Sequence, residues 1–191
     1  MAEIIIITGT PGVGKTRLAR VLSRRMRWAF LDLGTLVKSE KLYSRFDRKD
    51  RSYVMDEHRV HQRLTRLFAE GADQGLIVEA HTLGSYLPRR PEMRAIVVRL
   101  DPTILARRLK ARNWPRRKIW ENVEAELIDL SVYESARLLG RDRVCQIDSS
   151  HKRIGELLSE AAKLIRRQRW MAEEGPDWLA SYDPFELRKR I

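Results

Sequence analysis

Residues 3–8 read Glu-Ile-Ile-Ile-Ile-Thr, an apolar, β-branched run that predicts a strand covered on both faces. A glycine-rich turn follows. From Thr16 onward, Leu18, Val21, Leu22 and Met26 recur at helical spacing, with Arg17, Arg20, Arg24 and Arg25 largely on the opposite face. Trp28–Leu33 predicts a second strand. Residues 35–70 are charged and predict a helix in two pieces, broken near Asp47–Ser52, with Val60, Leu64, Leu67 and Phe68 as the apolar stripe of the second piece. Leu76-Ile77-Val78 is a third buried strand, entered by Gly75 and ending at Glu79, and Ala95–Leu100 is a fourth. Asp101-Pro102 is a helix start with proline at its first position, and Ile104, Leu105 and Leu109 line that helix. Asn113-Trp114-Pro115 interrupts the pattern, after which Ile119, Val123, Leu127 and Leu130 carry the next helix. Val144–Ile147 predicts a fifth strand. A final helix is expected over 152–171, with Ile154, Leu157, Leu158, Ala161 and Ile165 inward. Strands alternating with helices imply an α/β fold, a five-stranded parallel sheet flanked by helices.

Gly175-Pro176 stops the last helix, and Asp183-Pro184-Phe185-Glu186 has the cap, proline and acid of a short helix start. This tail, with Trp178 and Tyr182, reads as packing on the body; partner binding is the alternative. The 191 residues suit one domain, and 43% hydrophobic residues exclude global disorder. The single Cys145 excludes an internal disulfide and a thiolate-rich zinc site. No apolar run approaches the roughly 18 residues of a membrane span, and Ile4–Ile7 lacks the flanks of a signal peptide. The expected protein is soluble and cytoplasmic, or nuclear in a eukaryote. Its net charge of +12 is mostly arginine, with nine lysines among 38 basic residues. Arginine grips phosphates in a bidentate way, so a nucleotide or RNA partner is expected, with a solvated surface as the plain alternative.

Gly9-Thr10-Pro11-Gly12-Val13-Gly14-Lys15-Thr16 fits G-x-x-x-x-G-K-[ST] at every fixed position, between a buried strand and an amphipathic helix. Glycines let backbone N–H groups curl around an anion, and the helix N-terminus adds positive potential. Gly12, Val13, Gly14, Lys15 and Thr16 should therefore bind ATP, with Lys15 on the β/γ-phosphates and Thr16 on Mg2+. The guanine-recognition and switch motifs of a GTPase are missing, and the chain is short for a motor or chaperone ATPase. Small nucleotide and metabolite kinases remain.

Further motifs narrow that class: Asp47, Asp56-Glu57, Glu79-Ala80-His81, Arg108-Leu109-x-x-Arg112, and Lys118-Ile119-x-Glu121-Asn122-x-x-x-Glu126. In their order and spacing, over about residues 3–170, the chain resembles the adenylate kinase isoenzyme six family. These are small nuclear-type adenylate kinase/ATPases that also assist small-ribosomal-subunit assembly. The resemblance implies a nucleoside monophosphate kinase-like domain over 1–170, with a monophosphate-binding lobe near 35–70, a short lid near 112–118, and a separate tail at 171–191. It implies phosphoryl transfer from ATP to AMP as acceptor, ATP hydrolysis, and a small-subunit ribosomal protein partner close to rRNA. The chain departs from the family pattern at Glu79, where aspartate is usual, at Arg112-Asn113-Trp114, where Arg-Gly-Tyr is usual, and at Lys38, where arginine is typical.

Phosphoryl transfer asks for positioning and for charge to offset the transferring group. Lys15, Arg108 and Arg112 are the candidates for that charge. Arg108 and Arg112, four apart, share a helix face; a solvated basic helix end is the alternative. Glu79, ending a buried strand on the loop's side of the sheet, could hold Mg2+ with Thr16 or orient a nucleophile. His81 could orient an attacking water or respond to a bound partner, with a structural hydrogen-bonding role as the alternative. Asp32 faces the magnesium site or caps the helix that comes next, and Asp47 and Asp56 position the lobe. His58 and His61 read as surface residues. Gln146–His151 is where adenine would sit, mostly against backbone. Arg17–Arg27, Arg89–Arg99 and Arg166–Arg169 form a basic surplus outside the transfer site, suited to neutralising RNA phosphates. Monomer or weak oligomer is expected. A kinase of another small molecule or an RNA end, and a nucleotide-binding assembly factor with little turnover, remain open alternatives.

Overall fold

The computed structural model describes residues 3–48, 52–70, 74–166, 170 and 175–191. Strand β1 (Ile4–Thr8) leads into helix α1 (Lys15–Met26), β2 (Ala29–Asp32) and α2 (Leu33–Ser39). The hairpin β3 (Tyr43–Asp47) and β4 (Ser52–Met55) comes next, then α3 (Glu57–Glu70) and β5 (Leu76–Glu79). After β6 (Met93–Arg99) come α4 (Pro102–Ala111), α5 (Arg116–Leu127) and α6 (Leu130–Leu139). The chain ends with β7 (Val144–Asp148), α7 (Ile154–Arg166), α8 (Trp178–Ser181) and α9 (Pro184–Arg190). Among the described residues the main sheet has five strands, ordered β2-β5-β1-β6-β7 and parallel throughout. The expected α/β fold is therefore present.

The four isoleucines of β1 show why this strand carries no apolar/polar alternation. Ile5 and Ile7 enter the core shared with α1, α4, α5 and α7, whereas Ile4 and Ile6 enter the core shared with α2 and α3. Both faces are dry, so both registers of the pleat are apolar. The central strands end at one edge of the sheet, and β1 hands the chain to the glycine-rich turn there.

Three sequence expectations differ from the structure. The first predicted helical piece of 35–70 is α2, ending at Ser39, and a two-stranded antiparallel hairpin occupies the next stretch. Its aromatic residues decide this: Tyr43 and Tyr53 rings lie 4.3 Å apart and Phe46 and Tyr53 5.1 Å, a cross-strand stack that favours strands. Residues 49–51, inside the predicted break, lie outside the described residues. Leu130 does not extend α5. Asp129 adopts φ +55° and breaks the helix, so Leu130 starts α6 and is exposed. The last helix begins at Ile154 rather than at 152 and is described as far as Arg166; 167–169 and 171–174 lie outside the described residues.

The tail packs on the body. Trp170, Trp178 and Leu187 are buried in the core shared with α5. The Tyr182 hydroxyl donates to the Asp101 carboxylate, and Arg188 stacks 5.6 Å from the Trp120 ring centre on α5. Among the described residues no helix is long and apolar enough to cross a membrane.

Candidate functional site at the phosphate loop

The turn between β1 and α1 bends through three glycines of positive φ: Gly9, Gly12 and Gly14. A Cβ on Gly9 would lie 2.3 Å from the Val98 carbonyl oxygen, and one on Gly12, at φ +102°, 2.9 Å from Leu105 Cδ1 and 3.0 Å from Leu109 Cδ2 on α4. The loop is thus seated directly on α4, and only glycine permits both the turn and the approach. Gly14 caps α1 in a left-handed conformation without a side-chain cap, leaving the helix N-terminus open toward an anion.

Lys15 is buried, and its Nζ donates to the Thr10 carbonyl at 3.1 Å across the loop. Burial pushes its pKa down to about 8; Glu79 and Glu126 pull upward, and Arg112 pushes further down. Glu79, the last residue of β5, pairs in register with Ile7 of β1 and Asp32 of β2. Its carboxyl pKa is raised, first by burial and then by Asp32, against the opposing pull of Lys15, Thr16 and Arg20. The Glu79 Oε1 atom is buried without a hydrogen-bond partner. A buried carboxylate oxygen with no donor, beside a threonine hydroxyl, is a donor set that suits Mg2+, a hard cation that keeps waters and phosphate oxygens as its other ligands.

His81 Nδ1 lies 3.8 Å from Glu79 Oε1, too far for a hydrogen bond. Desolvation on the ring's inner side, then the charges of Lys15 and Lys38, push its pKa down to about 4, although 57% of the side chain faces solvent. At neutral pH it is an uncharged imidazole over the loop mouth. Arg108 of α4 sits with Nη1 at 3.3 Å from the Gly12 carbonyl and 3.4 Å from that of Val13. Its pKa is lowered by burial, with Arg112 and Arg107 adding repulsion. Arg112 ends α4 as an exposed residue whose charge is felt at Lys15. Lys15, Thr16, Glu79, His81 and Arg108 are therefore brought together, and Arg112 stands at their rim.

Other candidates sort differently. Asp32 caps α2, accepting from the Thr35 N–H at 2.9 Å, with Arg20 at 3.9 Å. Asp56 accepts from the Arg59 N–H at 3.1 Å, at the start of α3. His58 and His61 are exposed on α3, and among the described residues no His/Cys/Asp/Glu group could hold a metal ion by itself. Gln146 is taken by Arg99, whose Nη1 donates to its side-chain oxygen at 2.6 Å.

That arginine and Arg94 are turned inward, which corrects the reading of 89–99 as a basic surplus free for RNA at those two positions, whereas Arg89 is exposed. Arg99 is 1% exposed, with Nε 2.8 Å from Glu126 Oε1 and Nη2 bonded to the Glu126 carbonyl and the Asp129 carboxylate. Arg94 pairs with Glu3 and stacks 4.5 Å from the Trp170 ring centre. Of the 166–169 stretch, 167–169 lie outside the described residues. Glu126 also accepts from the Leu100 N–H at 3.1 Å and from the Thr10 hydroxyl at 2.5 Å. Sequence reasoning assigns no role of their own to Thr10, Arg99 or Glu126, although two signals are present. Arg99 is a charge inside an apolar strand, and Glu126 lies on the Ile119/Val123 face of its helix.

A family model described as an AAA domain matches residues 5–129. A protein of Saccharolobus islandicus named "Putative adenylate kinase" is 33% identical over 177 residues, spanning 92% of this chain and 87% of that one. One of Methanosarcina acetivorans with the same name is 33% identical over 190 residues, spanning 93% and 98%. Among solved structures, shikimate kinase from Bacteroides thetaiotaomicron superposes with a TM-score of 0.54 at 16% identity, over 86% of this chain and 99% of that one, a likeness of fold. With its phosphate loop at the sheet edge, the chain belongs to the AAA-domain family, in a group of P-loop nucleotide kinases with those Saccharolobus and Methanosarcina relatives.

Proposed function

We propose that this protein is an adenylate kinase, transferring the terminal phosphoryl group of ATP to AMP to give two ADP, reversibly. The observation that carries the reading is the buried pair at the loop: the Lys15 ammonium beside Glu79, whose Oε1 has no partner. A buried cation and a half-satisfied carboxylate make sense together where a magnesium-bound polyphosphate is to be held. The relatives' names support the same acceptor chemistry.

Residue by residue, the loop N–H groups of Gly12, Val13 and Gly14 wrap the phosphates. Lys15 exchanges its bond to the Thr10 carbonyl for β/γ-phosphate oxygens. Thr16 and Glu79 would hold Mg2+, which supplies charge neutralisation when bound. Arg108 and Arg112 approach from α4 to offset charge on the transferring group. His81, neutral and half open to water, favours a slow ATPase outcome when no acceptor is seated. The lobe over 35–70, with Lys38 6.0 Å from the Tyr53 ring centre, receives AMP. The lid covers 112–118, and the 171–191 tail is an addition to a 1–170 catalytic unit. The assembly role with a small-subunit ribosomal protein and rRNA rests on the family resemblance and on the exposed row Arg17, Arg20, Arg24, Arg25 and Arg27 along α1. The site is that of a monomeric or weakly associating cytoplasmic enzyme.

The test is ADP formation from ATP with AMP, GMP or CMP in turn. Two ADP per ATP with AMP, lost by about 10²–10³-fold in Lys15→Ala, is the expected result. Robust transfer to GMP or CMP but not AMP removes the acceptor assignment, and normal turnover by Lys15→Ala removes the site assignment.

A further inference from the structure

The Glu126 carboxylate is engaged on both oxygens by parts of the chain far apart in sequence. Oε1 accepts from Arg99 Nε at 2.8 Å and from the Leu100 N–H at 3.1 Å, at the end of β6. Oε2 accepts from the Thr10 hydroxyl at 2.5 Å, inside the phosphate loop. Thr10 and Glu126 are both about 2% exposed. The Thr10 peptide unit thus stands between two charges, its carbonyl taken by Lys15 and its hydroxyl by Glu126.

We propose that Glu126 is a positioning residue for nucleotide binding: through Thr10 it sets the shape of the phosphate loop from α5, the helix on the far side of the lid turn. The helix on the near side of that turn grips the loop as well, since Arg108 of α4 sits on the Gly12 and Val13 carbonyls. The two helices that flank residues 112–115 therefore hold the loop at two separate points. A hydroxyl that only needed a partner could take one from a nearby carbonyl. Here it is given to a carboxylate already locked by an arginine, which fixes direction as well as satisfying the donor. The loop's N–H groups must converge on phosphate oxygens to within a few tenths of an ångström, and a single rotatable peptide at residue 10 sits in their path.

This inference rests on the nucleotide-kinase reading, so its test measures MgADP affinity by calorimetry, which needs no acceptor. Thr10→Val keeps the branched shape and removes the hydroxyl; Thr10→Ser keeps the hydroxyl. The expected result is MgADP binding weakened about tenfold or more in Thr10→Val and largely recovered in Thr10→Ser. In the kinase assay KM for ATP should rise while KM for AMP holds. A Thr10→Val protein that binds MgADP like the wild type overturns the inference. Equal loss in Thr10→Ser, or loss of thermal stability with affinity intact, overturns it too, because the contact is then only structural. Wild-type protein that binds MgADP but makes no ADP from ATP and AMP sinks the adenylate kinase reading alone; wild type that binds no MgADP sinks both.

Discussion

Replacing Arg99 with methionine isolates the largest electrostatic commitment in the core. The guanidinium makes bonds to Glu126 Oε1, the Glu126 carbonyl, Gln146 Oε1 and the Asp129 carboxylate, and the Arg99 and Glu126 side chains are each 1% exposed. Methionine follows the arginine stem in length, so the volume change is small and the loss is electrostatic. Glu126 would keep the Thr10 hydroxyl and the Leu100 N–H but lose its counter-charge. Breaking a buried pair from one side costs about 3–5 kcal/mol, a large share of the roughly 5–15 kcal/mol that holds a domain together. At about 2–4 °C per kcal/mol for a chain of this size, Tm should fall by about 6–20 °C. Urea unfolding and calorimetry of Arg99→Met give both numbers. Adding Glu126→Gln removes the orphaned charge, so the double variant should be more stable than Arg99→Met by about 1–3 kcal/mol. An Arg99→Met protein within about 1 kcal/mol of wild type, or a double variant less stable than the single, would falsify the claim that the dry pair organises this end of the sheet.

Three further outcomes rest on the geometry. Gly12→Ala forces a side chain into φ +102° with Leu105 and Leu109 at about 3 Å, and should lower MgADP affinity by about tenfold or more with a Tm loss of a few degrees; titration calorimetry reads it. Because burial pushes the Lys15 pKa down to about 8, the free loop loses its cation as the pH rises through that value. MgADP affinity should then fall by up to about tenfold per pH unit above 8, whereas a flat profile to about pH 10 would mean Lys15 stays charged. Asp101 is a carboxylate that burial alone would raise, yet bonds from Thr103, Tyr182 and backbone N–H groups hold it below its ordinary value. Its contribution is present above the unfolded-state pKa and lost as the pH falls through the lowered one. Tyr182→Phe should therefore cost about 1 kcal/mol near neutrality, with the difference from wild type shrinking below about pH 4; equal stability at about pH 7 would show that this bond does not hold the tail.

The sheet and the loop are legible in the sequence for one reason: each is written in consecutive residues. Ile4–Ile7 states a strand, Gly9–Thr16 states a phosphate-binding turn, and helical spacing from Leu18 states the helix behind that turn. The hairpin is not legible in the same way, because Tyr43, Phe46 and Tyr53 make their case only by pairing across a turn. A single-strand pattern of four or five residues amid arginines looks like a charged helix. The α5–α6 break at Asp129 hides similarly. An apolar stripe continues through Leu130 in the sequence, while the carboxylate at the point where the chain unwinds is turned to Arg99, which is 30 residues away.

The same distance separates the legible half of the site from the other half. Lys15, Thr16, Glu79 and His81 belong to local motifs, whereas Thr10, Arg99 and Glu126 meet only after the sheet, α4 and α5 are packed. Their mark in the sequence is a charge in an apolar frame, and a charge there demands a partner of the opposite sign, since an unpaired one would unfold the domain. Arg99 inside β6 and Glu126 on the inner face of α5 each signal a need for a partner, but β6 also carries Arg94 and Glu79 is a second buried acid, so only the packed structure makes the pairing. The pairing also changes what the +12 means. Arg94, Arg99 and Arg108 are turned inward onto Glu3, Glu126 and the loop carbonyls, so the arginine excess is partly an internal scaffold. The charge left for an outside anion is concentrated on exposed rows such as that of α1. There Arg17 and Arg20 lie in the first turns after the phosphate loop, and Arg24, Arg25 and Arg27 lie at the far end of the helix, where they complement its C-terminal dipole.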